Sequence, residues 1–337
     1  MSLKKKAICN EEVKQLSIAA KNMMFIKGRN NLSATVFVPW DCQNRCPFCT
    51  AKKEYGKTDI EAVKAALKRI RNSNIEEVVF TGGEPASDPL LLSELIDLVP
   101  NKRVYINTTL PQKTAFQFVR MVNDKDNVRG INISRHAVSA KEESLAAVAD
   151  DSAILVLRKN VRINVVEPNL QDVEKVLERW AKAAEFRDSD YDTTICIRED
   201  FTVTEPETLH IINDVYVTAL LDIPGIQYLG HSSCNVCDSM FFKYSTPRYQ
   251  DINVCVHRGL ATTSINMGNV IEVNDVVVYP DGKMCYDWDR SCAANKEFYD
   301  AFKLKEGKRI LPPSNRPKRI PEYKINTCAA TFNSEGC

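Results

Sequence analysis

Between about residues 34 and 220 the sequence alternates six times between a short apolar run and an amphipathic segment with helical periodicity. Six β/α units in series favour one parallel sheet with right-handed crossovers, either an open barrel or a doubly wound sheet. The six predicted strands are Ala34–Val38, Glu77–Thr81, Arg103–Asn107, Arg129–Ser134, Val161–Val166 and Thr193–Arg198. The first predicted helix begins at a capping box from Thr58 to Glu61. The other helices are predicted at Pro89–Leu98, Thr114–Val122, Glu142–Ala149 with Ile154–Leu157, Leu170–Ala184, and from Thr204 to near Leu220.

The pattern changes after about residue 225. Cysteines, turns and β-branched residues become more frequent, and Val276–Tyr279 with Lys283–Trp288 predicts a β-hairpin. The stretch Lys303–Ile325 is rich in Lys, Arg and Pro and is typical of a surface tail. We therefore predict an N-terminal extension (1–30), an α/β domain (31–225) and a smaller cysteine-rich α+β domain (226–337).

Composition restricts the class of protein. The 337 residues carry a net charge of +1, so no overall field favours nucleic acid or an anionic membrane. No run of 18 apolar residues occurs, and the basic start of the chain lacks an apolar signal core, so a cytoplasmic protein is expected. In such a protein the twelve cysteines favour free thiols or metal ligands over disulfides.

Three of the cysteines form a tight group. Cys42, Cys46 and Cys49 have the spacing C-x3-C-x2-C directly after the first predicted strand. Three thiolates on one loop can each hold one iron of a cubane cluster, which leaves the fourth iron open to a small molecule. A structural zinc site is the alternative, but zinc usually has a fourth ligand close by, and the first histidine is His136.

A second motif follows the second predicted strand. Gly82, Gly83 and Glu84 precede a proline, and two glycines allow a backbone to approach a ligand closely. The cysteine spacing, with aromatic Phe48 before the last cysteine, and this Gly-Gly-Glu-Pro loop together resemble the signatures of the radical S-adenosylmethionine (SAM) superfamily. The resemblance covers roughly residues 34–220 and implies a partial (β/α)6 TIM-like barrel.

The resemblance also implies cofactors and their ligands. The trio would hold a [4Fe–4S] cluster whose open iron binds SAM, and Glu84 would accept the SAM ammonium group. Reduction by an electron donor such as flavodoxin or ferredoxin would then release a 5′-deoxyadenosyl radical. Polar residues at the strand ends match the family more loosely, as contacts of the SAM ribose and carboxylate. They are Asn107, Ser134, Arg162 and Asn164. The fifth strand, which contains the last two, is similar to that of viperin and its relatives.

The C-terminal cysteines allow three interpretations. Cys234, Cys237, Cys255 and Cys285 are predicted to hold an auxiliary [4Fe–4S] cluster, since they resemble the twitch or SPASM extensions and the second cluster of the molybdenum-cofactor cyclase. The resemblance is incomplete, because Cys285 follows its glycine too closely and the seven-cysteine SPASM set is absent. Zinc on the first three cysteines and His257 is the second interpretation, and buried thiols without metal are the third.

The catalytic group and the substrate are less constrained. Cys196 on the sixth strand is a candidate to return a hydrogen atom to a substrate radical, although a small core residue is the simpler interpretation. His136, His231 and His257 are candidate acid–base groups. The substrate is a peptide or protein, or else a small molecule or nucleotide, while RNA is disfavoured because no basic stripe stands out. A non-catalytic iron–sulfur protein is the alternative of a different class.

Overall fold

A computed structural model describes residues 24–28, 32–46, 48–49, 57–138, 147–199, 209, 215–234, 236–260 and 262–303. Its strands are β1 (Met24–Lys27), β2 (Ser33–Phe37), β3 (Glu77–Thr81), β4 (Arg103–Thr108), β5 (Val128–Ser134), β6 (Asn160–Val166), β7 (Thr193–Arg198), β8 (Ile226–Ser233), β9 (Cys237–Thr246), β10 (Tyr249–Gly259), β11 (Ser264–Asn266), β12 (Val270–Val273), β13 (Asp275–Val278) and β14 (Met284–Cys285). Its α-helices are α1 (Ile60–Arg71), α2 (Pro89–Asp97), α3 (Ala115–Asn123), α4 (Ser152–Leu155), α5 (Val173–Ala184), α6 (Val215–Leu221) and α7 (Lys296–Phe302).

The six predicted strands correspond to β2 to β7, which lie side by side in sequence order. Every neighbouring pair among them is parallel. Helices α1, α2, α3 and α5 lie between successive strands, as βαβ units require. The predicted α/β class, with a large parallel sheet typical of a partial TIM-like barrel, is confirmed.

The strands after residue 225 extend this sheet at both edges. On one side β10 pairs parallel with β7, and β9 and β8 follow; on the other side β13 pairs parallel with β2, and β14 follows. The predicted hairpin is confirmed as β13 and β14. The strands β8, β9, β10, β13 and β14 thus pair into the same sheet as β2 to β7, and the division into an α/β domain and a smaller C-terminal domain stays a prediction. An open sheet edge carries unpaired backbone groups, and these strands satisfy them.

The two faces of the sheet differ in chemistry. On one face Val36, Phe80 and Ile106 pack with helix residues such as Leu67 and Trp180 in the main apolar core. Because side chains alternate along a strand, the intervening residues lie on the opposite face, which we call the inner face. It carries the polar and ionisable residues Thr81, Asn107, Asn132, Arg162, Asn164 and Cys196.

Two local predictions need correction. Asp59 rather than Thr58 caps α1, since its side chain accepts the backbone N–H of Ala62. The predicted helix Glu142–Ala149 lies mostly outside the described residues, and at its end Val148 forms a β-bridge with Pro111. The cap at Thr204, the tail after Lys303, and Cys9, Cys328 and Cys337 also lie outside the described residues. No described helix is long and apolar enough to cross a bilayer.

Candidate active site

The cysteine trio lies in the loop after β2, at the carboxyl edge of the parallel sheet, and all three thiols are half-buried. The backbone N–H of Asn44 donates to Cys42 Sγ at 3.3 Å, and its side chain donates to Thr109 Oγ1 at 3.2 Å. Burial raises the pKa of Cys42, and the neighbouring charge of Glu84 acts in the same direction. The cysteine loop therefore contacts the loops that follow β3 and β4.

Glu84 is buried at the centre of these loops. One carboxylate oxygen accepts the backbone N–H of Ala86 at 3.0 Å and the hydroxyl of Thr108; the other accepts the N–H and hydroxyl of Thr109 at 2.7 and 2.6 Å. Burial raises its pKa, and these hydrogen bonds oppose the rise. A carboxylate offers about four acceptor positions, so the protein itself fills those of Glu84. The structure gives Glu84 a positioning role, and its contact with a SAM ammonium group stays a prediction.

A buried arginine completes this arrangement. Arg135, which directly follows β5, donates to the carbonyls of Thr109 at 2.7 Å, Ser134 at 2.8 Å and Ala149 at 2.9 Å. Thr109 is therefore held between the Glu84 carboxylate and the Arg135 guanidinium. Hydrogen bonds to charged groups are stronger than neutral ones, so the loops after β3, β4 and β5 form one fixed unit.

The aromatic residue of the cysteine motif has a partner on the next loops. The Phe48 ring meets the His136 ring edge to face, with centroids 4.9 Å apart. His136 Nδ1 in turn accepts the backbone N–H of Val166 at 3.2 Å. Burial lowers the pKa of His136 to about 4, with a further contribution from Arg135, so the ring is neutral at physiological pH. A neutral His136 is consistent with a packing role for this predicted acid–base candidate.

The two motif glycines have left-handed backbone conformations, with φ of 63° at Gly82 and 48° at Gly83. A Cβ atom at Gly82 would lie 1.9 Å from Cδ1 of Phe37. Glycine is thus required at residue 82 for both backbone and packing reasons. The loop bends tightly over the end of β2 and brings its backbone to the cysteine loop.

The predicted strand-end residues share the inner face. Asn132 donates to Asn107 at 2.7 Å, and Asn107 donates to Thr81 at 3.1 Å, which makes a polar chain across β5, β4 and β3. Arg162 is buried in register with Asn132. The register places Ser134 beside Asn164 one level nearer the carboxyl edge. The structure thus brings the four predicted residues together on one face, and their role in SAM binding stays a prediction.

The candidate hydrogen donor Cys196 is register-paired with Asn164 on one side and with Cys255 on the other. Both cysteines are buried, and they form a small cluster with Phe241 and Leu229. The hydrogen bond from Cys255 lowers the pKa of Cys196 to about 6, with help from nearby Arg162. The same hydrogen bond and burial raise the pKa of Cys255.

The four residues predicted for a second metal site occupy three places. Cys234 and Cys237 are adjacent, with their sulfurs 3.2 Å apart, but Cys255 is beside Cys196. Cys285 is at the opposite end of the sheet, in a small cluster against which Cys49 packs. Among the described residues, the cysteine trio included, no three or more Cys, His, Asp or Glu side chains lie close enough together to hold a metal ion. The second metal site stays a prediction.

The other two candidate histidines, His231 and His257, have structural contacts near β9. His257 Nδ1 is hydrogen-bonded to the Ser239 hydroxyl at 2.9 Å, and burial together with Arg198 lowers its pKa. His231 is hydrogen-bonded to Asp238. Among the described residues His257 does not form a metal-binding group with Cys234, Cys237 and Cys255, and the zinc interpretation stays a prediction.

Several residues of the site were missed at the level of sequence. These are Trp40, whose indole N–H donates to the Glu84 carbonyl at 2.8 Å, and Asn44 and Thr109. Each lies within a few residues of a strand's carboxyl end, and that location was the available signal.

No family model matches the chain, and no curated protein matches it. Among solved structures, SuiB of Streptococcus suis is 17% identical with a TM-score of 0.37, over 49% of this chain and 39% of SuiB. The protein anSMEcpe with bound AdoMet and the Cp18Cys peptide is 17% identical with a TM-score of 0.38, over 52% and 53% of the two chains. The match therefore spans about half of anSMEcpe and less of SuiB, and it assigns neither a family nor an activity.

Proposed function

We propose that this protein is a radical SAM enzyme. One observation carries the proposal: the cysteine loop and the Gly-Gly-Glu loop, which are 33 residues apart from Cys49 to Gly82 in the sequence, are joined at one sheet edge through Asn44, Thr109 and Glu84. Cys42, Cys46 and Cys49 would hold a [4Fe–4S] cluster. When bound, the reduced cluster and SAM supply a 5′-deoxyadenosyl radical, which can remove a hydrogen atom from a substrate.

The residues present fit this pair of cofactors in their chemistry. The trio offers only sulfur donors, as an iron–sulfur cluster requires. The N–H of Asn44 already points at Cys42 Sγ, the kind of contact that stabilises a thiolate ligand. Gly82 and Gly83 themselves carry no side chain that would keep the loop backbone away from a bound molecule.

The protein's own residues would orient the reaction and exclude water. Glu84 and Arg135 fix the loops around Thr109, so the surface that faces the cofactor is set before binding. Phe48 and His136 close the side near β6 with an apolar contact. The polar inner face, with Asn132 and the cation Arg162, would accept a polar substrate.

The substrate we propose is a peptide or protein segment, with a small molecule or nucleotide as the alternative. A flavodoxin- or ferredoxin-type protein would supply the electron. Iron analysis addresses the second metal site: about eight irons per chain would support an auxiliary cluster, and about four would indicate the first cluster alone.

The test is anaerobic reconstitution followed by SAM and dithionite. Wild type should bind about four irons at the trio and release 5′-deoxyadenosine. Replacing Cys42, Cys46 and Cys49 together with Ala should abolish that release. Cys292→Ala is the matched control, because Cys292 is also half-buried but lies outside the loop. Undiminished release from the triple variant would refute the proposal.

A second candidate function is an iron–sulfur electron carrier without SAM chemistry. The packing of Cys49 against the cluster that contains Cys285 favours it, because Cys285 would be a fourth thiolate close to the trio. A closed four-cysteine site has no open iron for SAM. A brown wild-type protein that neither binds SAM nor releases 5′-deoxyadenosine would support this alternative.

A further inference from the structure

Two arginines lie on the inner face at its β6 and β7 strands. Arg162 of β6 and Arg198 of β7 belong to this face, because their chain neighbours Ile163 and Ile197 pack in the helix-side core. Arg162 is buried and Arg198 is half-buried. The two cations lie close enough together to repel each other. This part of the inner face is therefore positively charged.

The immediate surroundings of Arg198 supply no carboxylate. Its neighbours on the inner faces of β6, β7 and β10 are Val166, His257, Asn164, Cys196 and Cys255. Glu199, which follows Arg198 in the chain, accepts two hydrogen bonds from Arg258 at 2.6 and 2.7 Å and is thereby occupied. Within the part of the chain that the structure describes, no carboxylate is paired with Arg198. A cation partly withdrawn from water is costly without a counter-charge, so an anion from outside the protein is expected beside it.

An independent observation indicates that a ligand approaches the same place. Asn164 is only 9% exposed, and within the described ranges its side-chain oxygen has no hydrogen-bond partner. A buried amide oxygen is normally satisfied by a donor, so a bound molecule with an N–H or O–H group is expected next to it. An Asn amide both accepts and donates, which matches the C=O and N–H of a peptide backbone.

The two residues are near enough to hold one ligand. Asn164 is the register partner of Cys196, and Arg198 is two residues further along the same face of β7. With strands about 4.8 Å apart and a rise of about 3.3 Å per residue, their Cα atoms are diagonal neighbours about 8 Å apart. A single acidic residue could therefore place its backbone at Asn164 and its carboxylate at Arg198.

We propose that Arg198 binds a carboxylate of the substrate, and that the substrate is a peptide segment with an Asp or Glu side chain whose backbone contacts Asn164. The inference rests on the proposed function and names its substrate class. A guanidinium group favours a carboxylate because its planar fork donates two parallel hydrogen bonds. Arg162 adds positive charge that attracts the same group. Asn164, predicted from the sequence as a SAM contact, is thereby assigned to the substrate.

The first experiment selects peptides without assuming a sequence. Reconstituted protein with SAM, kept anaerobic and without a reductant, is immobilised and incubated with a library of random short peptides whose ends are blocked. Mass spectrometry then identifies the retained peptides. Wild type should enrich Asp and Glu, and Arg198→Glu should lose that enrichment. Lys243→Glu is the matched control, because it reverses a charge on the same sheet at a residue that already pairs with Asp251.

The outcomes separate this inference from the proposed function. Release of 5′-deoxyadenosine by wild type, without enrichment of acidic peptides, would overturn the inference alone. Equal enrichment by wild type and Arg198→Glu would also overturn it. Absence of 5′-deoxyadenosine from wild type with SAM and dithionite would overturn the proposed function, and with it the assignment of the bound peptide as a substrate. Arg198→Lys, which keeps the charge, should retain the enrichment, so a mere failure of Arg198→Glu to fold is recognised.

The second experiment measures affinity with one enriched peptide and its Glu-to-Gln counterpart. Wild type should bind the acidic peptide about thirtyfold or more tightly than the counterpart, and Arg198→Gln should bind both equally weakly. N-acetylglutamate should displace the acidic peptide at a lower concentration than inorganic phosphate; the reverse order would overturn the choice of a carboxylate. Loss of SAM affinity or of iron in Arg198→Gln, with peptide affinity unchanged, would likewise overturn the inference, because Arg198 would then serve a cofactor.

Discussion

Replacing Glu84 with Gln tests the positioning role of this buried carboxylate. The two side chains have the same shape, but Gln replaces one acceptor oxygen with an NH2 group. Both oxygens of Glu84 accept a backbone N–H, one from Ala86 and the other from Thr109. Either orientation of Gln therefore places its NH2 group against a backbone N–H that cannot turn away.

The expected cost follows from that geometry. One buried backbone N–H loses its acceptor, which costs about 1–3 kcal/mol, and the remaining hydrogen bonds lose the assistance of a charge. We expect Glu84→Gln to lower the free energy of unfolding by about 3 kcal/mol. Urea unfolding of the iron-free protein, followed by circular dichroism, measures this change.

Thr109→Val is the matched variant, because it removes one hydroxyl donor to Glu84 and leaves the charge. If Glu84 acts by holding the loops, both variants should weaken SAM binding. If it acts only as an acceptor for the SAM ammonium group, Thr109→Val should leave SAM affinity unchanged. A loss of stability below about 1 kcal/mol in Glu84→Gln would refute the positioning argument.

Three further predictions can be checked directly. Gly82→Ala should lower the free energy of unfolding, measured in urea, by at least about 3 kcal/mol, because the new methyl group overlaps Phe37. Gly268→Ala is the control: its φ is 77° but the space around it is open, so the free energy of unfolding should fall by about 1 kcal/mol. The pKa of His136 is about 4 in the folded protein, below its value in the unfolded chain. Its contribution to the free energy of unfolding should therefore be fully present above about pH 6.5 and decrease by about 3 kcal/mol as the pH falls to 4. The variant His136→Gln should lack this pH dependence. Cys285→Ser should retain the roughly four irons of the trio and SAM cleavage, and a loss of those irons would favour the closed-cluster alternative.

The sequence determined the local elements and the two motifs. Apolar runs such as Glu77–Thr81 predict strands because alternation and β-branching are local properties, and the sheet contains all six predicted strands in sequence order. The cysteine spacing of Cys42 to Cys49 is likewise local. Its location at a carboxyl edge followed from the parallel topology alone.

The tertiary structure decided which distant residues meet. Strand order places β10 beside β7 and thereby Cys255 beside Cys196, although 59 residues separate them along the chain. It also places Cys285 at the other end of the sheet, away from the cysteines with which the spacing had grouped it. The partners of Glu84 were likewise fixed by the meeting of three loops. Such contacts depend on strand register and on the closing of long loops, and a sequence pattern specifies which face a side chain occupies but not which strand lies next to it.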